Sequence, residues 1–115
     1  MTIQNLQFEL IKRATFNEFD GKKVVESLKA NKDLWRGVIM GRFMYSYLIP
    51  LRDISDNYWN VDELFIEAMP GREKELFLLA NTWSADTVSW IDREEISMLI
   101  GTSPYKGSVL YLWWD

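Results

Sequence analysis

The chain has 115 residues, 48% of them hydrophobic and 26% charged, and a formal charge of −4. That length and balance suit one folded globular domain, residues 1–115, and argue against two separate cores or an intrinsically disordered chain. No Cys and no His occur. Disulfides, thiolate nucleophiles, Cys/His zinc centres and imidazole acid–base catalysis are therefore excluded.

The opening residues Met1-Thr2-Ile3-Gln4-Asn5-Leu6 lack the basic start and apolar middle of a secretory signal, so a cytoplasmic chain is expected. The longest uncharged stretches, Leu76–Ala85 and Ile96–Tyr105, are about half of the roughly 20 residues that cross a bilayer, so no membrane association is expected. Charge is uneven along the chain. Residues 1–52 carry nine bases and five acids, a net of +4, and residues 53–115 carry four bases and twelve acids, a net of −8. Antiparallel packing would intermix the two signs, so the asymmetry does not by itself define surface patches.

Ile3, Leu6, Leu10, Ile11 and Ala14 recur at helical spacing, and a helix is preferred there although Leu6, Phe8 and Leu10 also alternate as in a strand. After Asp20-Gly21, the segment Lys22–Asn31 places Val24, Val25 and Leu28 on one side of a short amphipathic helix. Ile39, Phe43, Tyr45, Tyr47 and Ile49 predict a long strand over Val38–Ile49, with a bulge at Gly41 and an end at Pro50. Leu51–Asn60 reads as a polar connection. Leu64–Met69 and Glu75–Ala80 flank Pro70-Gly71-Arg72-Glu73-Lys74 and predict a hairpin. A second hairpin is expected from alternation through Leu79, Asn81 and Trp83 and then Val88 and Trp90. Asp92 with Glu95 forms a capping-box-like start for a helix whose apolar face is Ile96, Leu99 and Ile100 and whose stop is Gly101. Ser108–Trp114 closes as a strand. The expected class is α+β: a mainly antiparallel sheet of four or five strands with two or three helices.

No glycine-rich dinucleotide fingerprint or phosphate loop is present, and no cofactor is expected. An acidic chain without a helix-turn-helix or RNA-binding signature also disfavours nucleic acid. Acids are the one reactive class in good supply. Asp53, Asp56, Asp62 and Glu63 lie within eleven positions, a spacing without the ligand series of a calcium loop, so a solvated connection explains them better than metal or glycoside chemistry. Asp92, Glu94 and Glu95 are accounted for by a helix start.

Six Trp, five Tyr and six Phe make the chain aromatic-rich. Most belong in the core, Trp35, Trp83 and Trp90 among them. Tyr58 and Trp59 differ because acids surround them, the makeup of a binding hot spot. Trp113 and Trp114, if on a strand, face opposite sides. Together these features lead to the expectation of a non-enzymatic protein-binding module, such as an immunity- or inhibitor-type protein that occludes a basic partner, for instance a nuclease. Asp53, Asp56, Tyr58, Trp59, Asp62 and Glu63 are the expected contact residues, and a homodimer is compatible with the exposed aromatics. The alternatives are a small-ligand or carbohydrate-binding domain and a carboxylate-dependent enzyme.

Overall fold

The computed structural model describes residues 1–41, 48–59 and 62–115, with the side chains of all but Phe16, Ile49 and Pro50. Along the chain run α1 (Ile3–Lys12), β1 (Thr15–Phe16), β2 (Phe19–Asp20), α2 (Gly21–Ala30), β3 (Trp35–Gly41), α3 (Ile49–Ser55), β4 (Glu63–Ala68), α4 (Glu73–Ala80), β5 (Thr87–Trp90), α5 (Arg93–Ile100) and β6 (Val109–Trp113). Strands β3-β4-β6-β5 form one antiparallel sheet in that order, and β1 and β2 make a short separate hairpin. The fold is α+β as expected, with more helix than the sequence pattern suggested.

Local chemistry accounts for the helix starts. Thr2 caps α1 by accepting from the Asn5 amide, Asp20 caps α2 through the Lys23 amide, and Asp92 caps α5 through the Glu94 and Glu95 amides. Each acceptor satisfies an amide that the first turn leaves without an intrahelical partner. Gly101, at φ 77°, ends α5 in the left-handed region where glycine carries no steric penalty.

Four expectations are corrected. The segment Glu75–Ala80 is not the second arm of a hairpin but part of α4, because Glu-Lys-Glu-Leu-Phe-Leu-Leu-Ala is composed largely of strong helix formers and Arg72 clasps Glu75 across the first turn at 2.6 Å. Residues Asn81–Trp83 continue as a 3₁₀ turn rather than a strand, so β5 has no hairpin partner before it and pairs with β6. The strand expected to run to Ile49 is described as far as Gly41, and Ile49–Ser55 is helical; Phe43, Tyr45 and Tyr47 lie outside the described residues. Pro50 therefore sits in the first turn of α3, where its missing amide costs nothing. The irregularity in β3 falls between Trp35 and Gly37, and Gly41 pairs in register with Glu63.

The first face of the sheet carries the core. Val38 on β3, Leu64, Ile66 and Ala68 on β4, and Leu110 and Leu112 on β6 are buried against Phe8 and Ile11 of α1, Val24, Val25 and Leu28 of α2, and Leu76 and Ala80 of α4. Aromatic rings lock its margins. Trp35 meets Phe8 edge-on at 5.5 Å and donates its indole N–H to the Leu28 carbonyl at 2.8 Å. Trp114 is fully buried, stacks on Phe19 at 4.3 Å and donates to the Trp83 carbonyl at 3.0 Å. Trp35 and Trp83 are core as expected, whereas Trp90 is partly exposed because it stands on the edge strand β5, stacked on Phe77 at 6.4 Å.

Strand β3 is the other edge, and α1 closes it. The Gln4 side-chain amide donates to the Val38 carbonyl and accepts from the Val38 amide, both at 2.8 Å, so one side chain imitates the next strand of the sheet. Gln7 accepts from the Met40 amide at 3.4 Å. At the other end of α1 the chain turns back so tightly that a Cβ on Gly21 would overlap the Ile11 carbonyl oxygen and lie 2.7 Å from that of Ala14.

Two stability measurements check this account. Gly21→Ala is expected to cost about 3 kcal/mol or more in urea unfolding, since two backbone carbonyls must move to admit the methyl group. Gln4→Leu keeps the size and helix propensity of the side chain but strands both outer groups of Val38; a loss of about 2 kcal/mol is expected, together with faster hydrogen exchange at the Val38 amide.

Candidate functional site

The register that buries Leu64 and Ile66 necessarily turns Glu63, Phe65 and Glu67 to the opposite face, since side chains alternate along a strand. Cross-strand pairing places Ile39 beside Phe65, Tyr111 on its other side, and Val109 beside Glu67. This second face is mostly apolar, and among the described helices α5 lies over it, with Ile96 buried. The result is an open trough of about 710 Å³. Gly37, Ile39, Phe65, Glu67 and Val109 form its floor, α5 contributes Ile96, Leu99 and Ile100, and Gln4 stands at the β3 edge. Large apolar side chains remain in water around it: Ile39 is 54% exposed, Leu99 65% and Ile100 45%.

Helix α5 is tethered to the loop that follows it from its first residue and from its middle. Ser97 Oγ accepts from the Tyr105 amide at 3.1 Å, and the Arg93 guanidinium reaches the Lys106 carbonyl at 3.4 Å. At the end of β3 a Cβ on Gly41 would come within 3.2 Å of the Phe65 ring and 3.3 Å of the Glu63 carboxylate. Phe65 in turn packs on Tyr111 with ring centroids 5.3 Å apart.

Two carboxylates occupy this face and have different surroundings. Glu63 accepts from the Tyr111 hydroxyl at 2.6 Å. Partial burial raises its carboxyl above the ordinary value of 4.5; the Tyr111 hydrogen bond works against that rise and neighbouring Asp62 adds to it. The same contact and burial raise the Tyr111 hydroxyl. Glu67, two positions along the strand, has neither a hydrogen bond nor an ion pair among the described residues. Among the described residues it is the one carboxylate lining the trough.

The six residues expected from sequence to form one contact patch are divided by the fold. Asp53 is 6% exposed within α3, ion-paired with Arg52 at 2.8 Å, and its carbonyl accepts from the amides of Asp56 and Tyr58. Its carboxylate is thus part of the local structure rather than a surface contact. Trp59 is half-buried, packs against the core and donates to the Met40 sulfur at 3.0 Å; since Met40 pairs with Leu64, Trp59 belongs to the first face. Glu63 belongs to the second. The Asp62 carbonyl accepts from the Trp114 amide at 2.9 Å. Asp56 and Tyr58 remain at the surface, Tyr58 at 43% exposure. No group of three or more acids among the described residues is arranged to hold a metal ion.

The trough residues Ile39, Phe65, Glu67, Val109, Leu99 and Ile100 were not singled out by sequence reasoning. Two signals for them exist: the odd positions of β4 read Glu-Phe-Glu, and the apolar stripe of α5 continues past Ile96 to two residues that the core does not absorb. Compared with protein-family models, curated protein sequences and solved structures, the chain matches none. Among the described residues, no helix is long and apolar enough to cross a membrane.

The surroundings of Glu63 lead to a pH-dependent expectation. Its carboxyl is protonated more readily in the folded chain than in the unfolded one. Its contribution to stability is therefore full below the unfolded value and is lost as pH rises through the higher folded value. Glu63→Gln retains an acceptor for Tyr111 and removes the titration. Its stability relative to wild type should therefore improve as pH rises above 4.5 in urea unfolding, and the opposite trend would show that the hydrogen bond outweighs desolvation.

Proposed function

We propose that this chain is a protein-binding module that takes up a basic partner on the second face of its sheet. The observation that carries this reading is the apolar floor of Ile39, Phe65 and Val109, left open to water and holding the single carboxylate Glu67. A sheet face of this composition normally packs against another layer, and an exposed apolar patch with a polar rim is the usual form of a protein contact site.

Charge supports the same surface. Helices α1, α2 and α4 over the first face carry Lys12, Lys22, Lys23, Lys29 and Lys74 against Glu9, Glu26, Glu73 and Glu75, a net of +1. The second face and α5 carry Glu63, Glu67, Asp92, Glu94 and Glu95 against Arg93 and Lys106 of α5 and its following loop. An acidic rim steers a basic protein towards the trough, and apolar anchors then supply much of the affinity. An immunity- or inhibitor-type role, in which the domain occludes the working surface of a basic protein, is the biological form of this reading.

The test is comparative capture from native cells at moderate salt. Wild type, Ile39→Asp/Leu99→Asp and Asp56→Lys/Tyr58→Ala are tagged alike; all four substituted positions are exposed, so each protein should fold. A basic protein held in stoichiometric amount by wild type and by the Asp56/Tyr58 variant, but lost from the Ile39/Leu99 variant, is the expected result. Loss from the Asp56/Tyr58 variant alone would move the contact surface to the segment after α3. Absence of any stoichiometric partner of wild type would overturn the reading.

A further inference from the structure

We infer that the segment received by the trough is an amphipathic helix of the basic partner, seated beside α5 with one Lys or Arg paired to Glu67; this rests on the protein-binding reading above. The first argument is dimensional. The floor runs across β3, β4 and β6, three adjacent strands that span about 10 Å at ordinary strand spacing. An α-helix with its side chains is about 10 Å wide. Helix α5 lines the trough on one side and Gln4, fastened to the β3 edge, on the other, and the span of the floor between them matches the width of one helix.

The second argument concerns layers. Among the described residues, α1, α2 and α4 cover the first face, whereas α5 lies over the second, with Ile96 buried and Leu99 and Ile100 exposed. A helix laid next to α5 would cover Ile39 and Phe65 from above and Leu99 and Ile100 from the side, completing the second layer. An added strand is not accommodated there, because a strand pairs with an edge and Gln4 already occupies the β3 edge at Val38.

The third argument is charge. Glu67 lies between apolar neighbours with no hydrogen bond or ion pair among the described residues, so a cationic donor arriving within an apolar surface gains a pair that nothing in the chain provides.

The probes are a synthetic helical peptide of Leu and Lys at helical spacing, its analogue with Glu in place of Lys, and n-decylamine. Each is titrated into the full chain, with binding read by fluorescence anisotropy and by amide chemical shifts. The Lys peptide is expected to shift Ile39, Phe65, Glu67, Leu99 and Ile100, with its Kd about tenfold weaker for Glu67→Gln, weaker again for Glu67→Lys, and unchanged for Asp56→Asn. The Glu peptide should not bind. Equal binding to Glu67→Gln and wild type, a footprint elsewhere, or equal binding of the Glu peptide would each overturn the assignment. Decylamine binding as tightly as the Lys peptide would replace the helix with a small amphiphilic amine. If the peptide fails while cell capture still loses its partner on Ile39→Asp/Leu99→Asp, the helix assignment falls and the protein-binding reading stands. If wild type captures no partner, that reading falls as well.

Discussion

Strand β4 is the constraint on which the molecule depends. It is hydrogen-bonded on both sides, to β3 and β6, and its six residues alternate strictly between the two faces. Burying Leu64, Ile66 and Ala68 against α1, α2 and α4 decides the register of both neighbours. A slip by one residue would drive Glu63 and Glu67 into the core and expose the leucine and isoleucine, so the hydrophobic term enforces a single pairing. With that register set, Phe65 and Glu67 have no choice of side. The core and the trough are two consequences of one alternation.

The two faces are finished differently. On the first, aromatic rings and indole hydrogen bonds close the margins: Trp35 meets Phe8, Trp114 stacks on Phe19, and Trp83 is tied to Ser27 at 3.2 Å. On the second, α5 is the one helix among the described residues that lines the trough, joined by Ile91 and Tyr105 from its flanking segments. Edge treatment differs in the same way, since Gln4 and Gln7 close β3 through their amides, whereas β5 ends the sheet with partly exposed side chains. The stability of the domain thus resides in one layer, and the surface free for recognition is the other.

Within the segment after β3, the acids and aromatics do structural work that their spacing conceals. Asp53 pairs with its neighbour Arg52 and closes the end of α3 through its carbonyl, and Trp59 fills the core margin against Met40. A cluster of acids and rings in sequence resembles a hot spot, but a chain reversal next to a sheet needs the same residue types: carboxylates for free amides and cations, and a ring to cover the sheet end.

Sequence alone determined the features that depend on neighbours a few residues apart. Periodicity and caps placed α2 and α5 and the strands around Leu64–Met69 and Ser108–Trp114, whereas at α1 helical and alternating spacing coexist and pattern gave only a preference for helix. Local pattern failed at Glu75–Ala80, where an apolar run suits helix or strand and helix propensity together with the Arg72–Glu75 pair decides. Only the tertiary structure settled which acid stands unpaired and which apolar residues stay uncovered. Glu63 and Glu67 are equivalent in the strand pattern, and they differ because Tyr111, 48 residues away from Glu63, meets one and not the other. Likewise, the exposure of Ile39 and Leu99 depends on how far α5 extends over a sheet assembled from distant segments, and long-range packing, which leaves no short-range signature, makes that decision.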